Sequence, residues 1–286
     1  MNSTAAILPC GTRLHLQHGP IDLIISADGQ RERAFEAANA CFQSVLTELV
    51  GELDALKQPI TPTSKCPNGA VAQRMHAAAM IYVGYSFLTR MAAVAGSVAD
   101  TVLNAITDGA DVHRAYVNNG GDIALHLQDG ESYTSAMVGH DGRKLGQIMI
   151  QSDYNVGGIA TSGRHGRSLS RGIADSVTVL SSCAAKADVA ATLIANAVDL
   201  VNHPAITRSP ANEVVDDSDL GNRPVVVGCG PLTQSDRNTA LRAGHDCALT
   251  MIKQKAIHAA ALFLQNDVIA TGSDMLIPYS RTKEHA

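Results

Sequence analysis

Asp188 and Thr192 stand four residues apart in the segment ADVAAT, so on a helix they share one face. A carboxylate and a hydroxyl one turn apart, with alanines leaving room around them, offer two oxygens to a hard cation such as Mg²⁺. Two oxygens alone do not make an octahedral site. An ion pair from Asp188 to Arg164 or Arg167, with Thr192 bonded to its own helical turn, accounts for the same residues without a metal.

Just upstream, Thr161, Ser162 and Gly163 open a loop that continues through Arg164, His165, Arg167 and Arg171. Backbone N–H groups, hydroxyls and guanidiniums suit phosphate or carboxylate, and this loop uses arginine, whose planar fork binds two oxygens at once. The alternative is a solvated loop held by Arg–Asp pairs. His165 is a candidate general acid or base. Asn119-Gly120-Gly121-Asp122 is either a tight turn with a capping carboxylate or a second part of the same anion site. The latter reading predicts that this turn and the Thr161 to Arg171 loop line one cleft. Cys229, between Gly228 and Gly230, has no histidine at motif spacing to activate it.

These residues need elements to hold them. Arg13 to Gln17 and Ile21 to Ser26 read as a hairpin around His18-Gly19-Pro20. From Arg31 the period becomes helical, with Phe35, Ala38, Phe42, Val45, Leu46, Leu49, Leu53 and Leu56 on one stripe until Pro59, which predicts one helix over Arg31 to Gln58. Ala70 to Val83 and Arg90 to Ile106 follow as small-residue helices. In the second, Ala92, Ala95, Gly96 and Ala99 permit very close packing. Strands are expected at 115–118, 123–128, 134–138, 147–151 and 176–180. A helix capped by Ser181 or Ser182 carries Asp188. Pro204 to Pro224 reads as an exposed polar excursion, Thr233 or Ser235 starts another helix, and 257–264 with 268–271 close as a hairpin. Residues beyond Pro278 are expected to fray. Hairpins accompanied by helices predict an α+β fold with antiparallel sheets.

The motifs ATSG at Ala160 to Gly163, SVTV at Ser176, ADVAAT at Ala187 to Thr192 and NNGGDIAL at Asn118 to Leu125 resemble the ApbE family. Its members are Mg²⁺-dependent transferases that move FMN from FAD onto a threonine of a flavoprotein. In that family an insertion bearing H-x-I-D-P-x-T-G follows A-T-S-G. Here only twelve residues, Arg164 to Asp175, separate ATSG from the strand, so His165 has no counterpart in the family's histidine. The chain is closer to an ApbE-like sister family without the insertion, sharing PNG at Pro67, MAAVAGSVAD at Met91 to Asp100 and a glycine-rich C-terminal strand pair. The resemblance implies duplicated tunnelling-fold units forming one domain of two joined halves, with a ligand cleft between them. It places Asp188 and Thr192 on the Mg²⁺ ligands, which are completed by backbone and phosphate oxygens. It also places Gly120, Gly121 and Asp122 along the cleft for FAD or FMN.

Composition narrows the classes. With 286 residues, 45% apolar and 17% charged, the chain can bury a sizeable core. The net charge is −5 and no basic run is interleaved with aromatics, which argues against nucleic acid. Six cysteines show no CxxC pair, and eleven histidines form no zinc-spaced pair. No apolar run is long enough to span a bilayer, and nothing before Cys10 has the make-up of a signal peptide, so a cytoplasmic location is expected. The expected partner is a small anionic molecule, with self-association into a homo-oligomer left open. Three functions fit: an Mg²⁺-dependent transferase or hydrolase of a flavin nucleotide or another phosphorylated molecule, a non-catalytic flavin- or metabolite-binding protein, and a lyase or isomerase acting on a small carboxylate.

Overall fold

The structure, a computed structural model, describes residues 3–279. The chain begins with strands β1 (Thr4–Ile7), β2 (Arg13–His18) and β3 (Ile21–Gly29), then helices α1 (Arg31–Gly51), α2 (Leu53–Leu56), α3 (Ala70–Met80) and α4 (Val94–Gly109). Five strands follow, β4 (Val112–Asn119), β5 (Asp122–Leu127), β6 (Ser132–Val138), β7 (Lys144–Gln151) and β8 (Gly158–Ser162). Next come β9 (Ser176–Ser181), α5 (Ala184–Ala197), β10 (Ile206–Pro210), α6 (Ala211–Val214) and β11 (Pro224–Cys229). The chain then forms α7 (Gln234–Lys253), β12 (Ala259–Leu264), β13 (Asp267–Thr271) and β14 (Leu276–Pro278).

Nine strands make one sheet in the order β1-β2-β3-β4-β5-β8-β9-β12-β13. Every ladder among the described residues is antiparallel, as an α+β fold requires. The helices pack on one face, where Phe42, Leu56, Met75, Val102 and Ile194 meet Leu23, Ile25 and Val179 of the sheet. On the other face the sheet β14-β7-β6 covers Ile123, Ile159, Leu180 and Phe263 with Met137, Ile148 and Ile150. Covered on both sides, β9 (SVTVLS) and β12 (AAALFL) are buried at every residue, while β3 at the uncovered end alternates. No helix among the described residues is long and apolar enough to cross a membrane.

The expected stripe of α1 is buried at Phe35, Ala38, Phe42, Val45 and Leu49. The single helix over Arg31 to Gln58 is corrected, however: it breaks at Glu52, whose φ is −119° and ψ is 10°. Glu52 turns its carboxylate to the amides of Asn68 and Gly69, which donate to it at 2.9 and 2.6 Å and pin the proline-rich loop. The polar excursion contains β10 and α6, and β10 pairs with β11. Thr233 is the N-cap of α7, in a capping box with Asp236. The expected fraying falls on residues outside those described, save Tyr279.

Along the middle of the sheet, β5 and β8 share a ladder of just two residue pairs, Ile123 with Ile159 and Ala124 with Gly158. Helix α4 lies over β4 and β5, and helix α5 over β8 and β9, so the two helices meet above this short seam.

Candidate functional site

The seam collects polar residues from four places in the chain. Asn119 ends β4 and donates from Nδ2 to the carbonyl of Ala95, in the first turn of α4, at 3.1 Å. Gly120 and Gly121 then reverse the chain with φ of +66° and +113°, and Asp122 starts β5. The Asp122 carboxylate accepts from the Thr161 amide on β8 at 3.3 Å, while the Thr161 hydroxyl lies 3.1 Å from that of Thr178. Thr161 and Ser162 therefore end a strand, and the loop expected to open at Thr161 begins at Gly163.

Arg167 reaches back from that loop to the turn. A side chain added at Gly120 would place its Cβ 2.2 Å from Arg167 Nη2, so glycine serves here both for its left-handed backbone and for the space it leaves to a guanidinium. The positive charge of Arg167 bears on Asp122. Arg164 and His165 face elsewhere. Arg164 donates from Nε and Nη2 to Asp175 Oδ1 at 2.9 and 2.6 Å, and His165 Nε2 lies 3.4 Å from the same oxygen. The His165 ring stacks on His140, with centroids 3.6 Å apart. Burial, then Arg164 and His140, push the His165 pKa down.

Asp188 projects from α5 to the N-terminus of α4, where the Gly96 amide donates to its Oδ2 at 2.9 Å. The pKa of Asp188 is raised well above the ordinary range, first by loss of solvent and next by the charge of Asp122. The amides of Gly96 and Ala95 oppose this only in part. Asp122 is raised as well, by burial, against the pull of Thr161 N–H and Arg167. Both residues are half-buried. The charge of Asp122 raises the affinity of Asp188 for a proton, and a cation near both would relieve the same repulsion. Thr192 lies one turn along from Asp188 and is half-buried.

Oxygen donors with raised pKa values suit a hard divalent cation, so the residues present fit Mg²⁺. No group of three or more His, Cys, Asp or Glu side chains surrounds one point among the described residues. The protein's share would thus be the Asp188 carboxylate and the Thr192 hydroxyl, with water or phosphate oxygens completing the shell.

A third carboxylate escaped the reading of the sequence. Asp100, four residues after Gly96 on α4 and 4% exposed, accepts from the amides of Ala184 and Ala185 at 3.0 and 2.9 Å. It replaces the expected cap at Ser181 or Ser182: the N-cap position is Cys183, which makes no side-chain cap. The helices approach so closely that a Cβ at Gly96 would lie 2.4 Å from the Ala184 carbonyl oxygen. A carboxylate four residues from a glycine, on a helix of small residues, was the available signal.

Comparisons with known proteins bear on the family and the fold. A family profile described as AbpE bacteria matches residues 5–271. The chain belongs to the AbpE bacteria family. Among solved structures, the ApbE protein from Thermotoga maritima aligns with a TM-score of 0.50 at 11% identity, covering 95% of this chain and 96% of that one. At that identity the likeness shows the fold, and it is the ApbE fold. The apo form of the flavinyl transferase ApbE from Pseudomonas stutzeri aligns with a TM-score of 0.48 at 13% identity over 96% of each chain. Curated relatives of this AbpE bacteria member include a UPF0280 protein of Methanococcus maripaludis strain C6, 37% identical over 123 residues, which are 40% of this chain and 49% of that protein. A UPF0280 protein of Archaeoglobus fulgidus is 35% identical over 134 residues, 47% of this chain and 53% of its own. The chain spans about half the length of the curated relatives it matches.

Proposed function

We propose that this protein binds a flavin nucleotide, FAD or FMN, together with Mg²⁺ at the β5–β8 seam and acts on its phosphate linkage as a transferase or hydrolase. The observation that carries this reading is the Asp122–Asp188 pair, two carboxyls of raised pKa beside the Arg167 guanidinium. An anion site next to a cation site is what a metal-bound phosphate needs. Asp188 and Thr192 would hold the ion. Arg167 would take a phosphate oxygen in its fork, and Asn119, Gly120, Gly121, Thr161, Ser162 and Gly163 would frame the nucleotide.

Mg²⁺ at Asp188 would neutralise charge on the phosphates as the linkage between them breaks. Attack by a water or hydroxyl oxygen on the flavin-side phosphorus of FAD would release AMP, and the proton of that oxygen would pass to a carboxylate such as Asp122. Arg164 and His165 are tied to Asp175, away from the pair, so neither is given a part in that step. This favours, as a second reading, a protein that binds the nucleotide without turning it over.

One experiment separates these readings. The protein is incubated with FAD and Mg²⁺, and the mixture is resolved for FMN and AMP while bound flavin is followed by absorbance. Release of AMP supports turnover, and Mg²⁺-dependent flavin binding without AMP supports the second reading. Absence of Mg²⁺-dependent flavin binding would discard both.

A further inference from the structure

A cluster of arginines lies at the opposite end of α5 from its N-terminal cap. There a cavity of about 370 Å³ is lined by Tyr85, Ser86, Arg171, Asn196, Asn202 and Arg208, among others. Arg171 anchors its backbone by donating its amide to Asn196 Oδ1 at 2.9 Å. Its guanidinium is another matter. Nε is sealed from solvent and has no hydrogen-bond partner among the described residues.

The neighbouring charges make this costly. Arg208 bonds Asp199 through Nη2 and the Arg171 carbonyl through Nη1, the latter at 2.5 Å. Arg223 lies over the Phe87 ring, 3.3 Å from its centroid. Both guanidiniums bear on Arg171 and, with burial, push its pKa down. Asp199 opposes them, but it is the one carboxylate among the cavity's lining residues and is already taken by Arg208. Within the lining two guanidiniums face one carboxylate, so the Arg171 charge has no counter-ion there, and Arg223, outside the lining, adds to the positive field.

We propose that this cavity binds a phosphate monoester group, with the Arg171 guanidinium as its principal donor. A phosphomonoester carries close to two negative charges at pH 7, the sign that the uncompensated Arg171 charge calls for. Its oxygens suit the guanidinium fork, and the amide of Asn196 and the hydroxyl of Ser86 stand at the wall as further donors. The volume leaves room for a small organic group beside the phosphate. The site is distinct from the carboxylate pair at the seam, and its existence does not depend on the flavin reading.

The test uses the full chain, inorganic phosphate and glycerol 3-phosphate, with chloride at matched ionic strength as the control. Thermal melting is followed against ligand concentration in the wild type, Arg171→Met, Arg171→Lys and Arg242→Met. Phosphate should raise the melting temperature where chloride does not. Losing the charge-assisted fork should weaken apparent binding roughly tenfold to a hundredfold in Arg171→Met. Arg242→Met, at an exposed position outside the cavity, should keep the response. Arg171→Lys retains the charge and so reports even if Arg171→Met fails to fold, and it should bind phosphate at least about tenfold more weakly than the wild type. A tighter response to glycerol 3-phosphate identifies a phosphorylated metabolite as the ligand, and an equal response identifies free phosphate. A wild-type response to chloride equal to that to phosphate, or an Arg171→Lys response equal to the wild type, overturns the proposal.

Discussion

Asp100 and Asp188 cap each other's helices. Asp100, on α4, accepts from the amides of Ala184 and Ala185 at the start of α5, and Asp188, on α5, accepts from the amide of Gly96 at the start of α4. Neither helix has a side-chain cap of its own, since the N-cap residues are Ala93 and Cys183. Each helix therefore satisfies its orphan N–H groups with a carboxylate borrowed from its neighbour, and each carboxylate gains the positive end of a helix dipole.

Asp100→Ala should destabilise the protein by about 1–3 kcal/mol, because it strands two buried amides. Urea unfolding followed by circular dichroism would measure this. A midpoint unchanged from the wild type would show that water takes over the cap.

Asp188 has two roles that different substitutions separate. Asp188→Asn keeps an oxygen for Gly96 and removes the charge, so it should fold with near wild-type stability and lose the Mg²⁺-dependent response to flavin nucleotide. A ligand present at about 100 times its dissociation constant adds about 2.7 kcal/mol to the wild type. Asp188→Ala should lose the response and also melt lower without ligand. Equal ligand shifts in wild type and Asp188→Asn would remove Asp188 from the metal site.

Gly96→Ala tests the helix contact. The added Cβ would meet the Ala184 carbonyl oxygen at 2.4 Å, a backbone atom that moves only if α5 moves. A cost of about 1–3 kcal/mol or more is expected, together with weakened Mg²⁺ binding, since Asp188 rides on the displaced helix. Isothermal titration with Mg²⁺ and nucleotide would register the second effect.

Acid should weaken the fold through His76. The Arg90 Nε donates to His76 Nδ1 at 3.1 Å, so this nitrogen must stay unprotonated, and burial followed by the Arg90 charge holds the His76 pKa below its ordinary value. The unfolded chain then takes up the proton first. The contribution is whole above about pH 6.5 and is lost as the pH falls from there through the folded pKa. His76→Asn retains an acceptor for Arg90 without titrating in this range. Denaturation midpoints at pH 7.5 and 5 should therefore differ less in the variant, and equal differences would count against His76.

What the sequence disclosed follows from how local each signal is. The stripe of α1, the helix start at Thr233 and the alternation of β3 depend on neighbours within a few residues, and all three could be read. The end of α1 could not, because Glu52 answers to amides sixteen and seventeen residues away. Asp122 and Asp188 were legible as polar residues in suggestive contexts, but their mutual influence on protonation arises from a meeting across 66 positions, and periodicity carries no such information. Arg164 and Arg167 look alike on the page. The structure divides them, one to Asp175 and one to the Gly120 turn, because the loop folds back between them.

The short ladder between β5 and β8 has a consequence for unfolding. With two residue pairs, extended by the bond from the Leu125 amide to the Gly157 carbonyl at 2.9 Å, the backbone holds the two parts of the sheet together weakly at that line. Helix α4 belongs to one part and α5 to the other, so Asp100 and Asp188 reach across from each side. The carboxylates thus tie the parts together across that line, and removing both should loosen the coupling between them, read as a broadened or split melting transition.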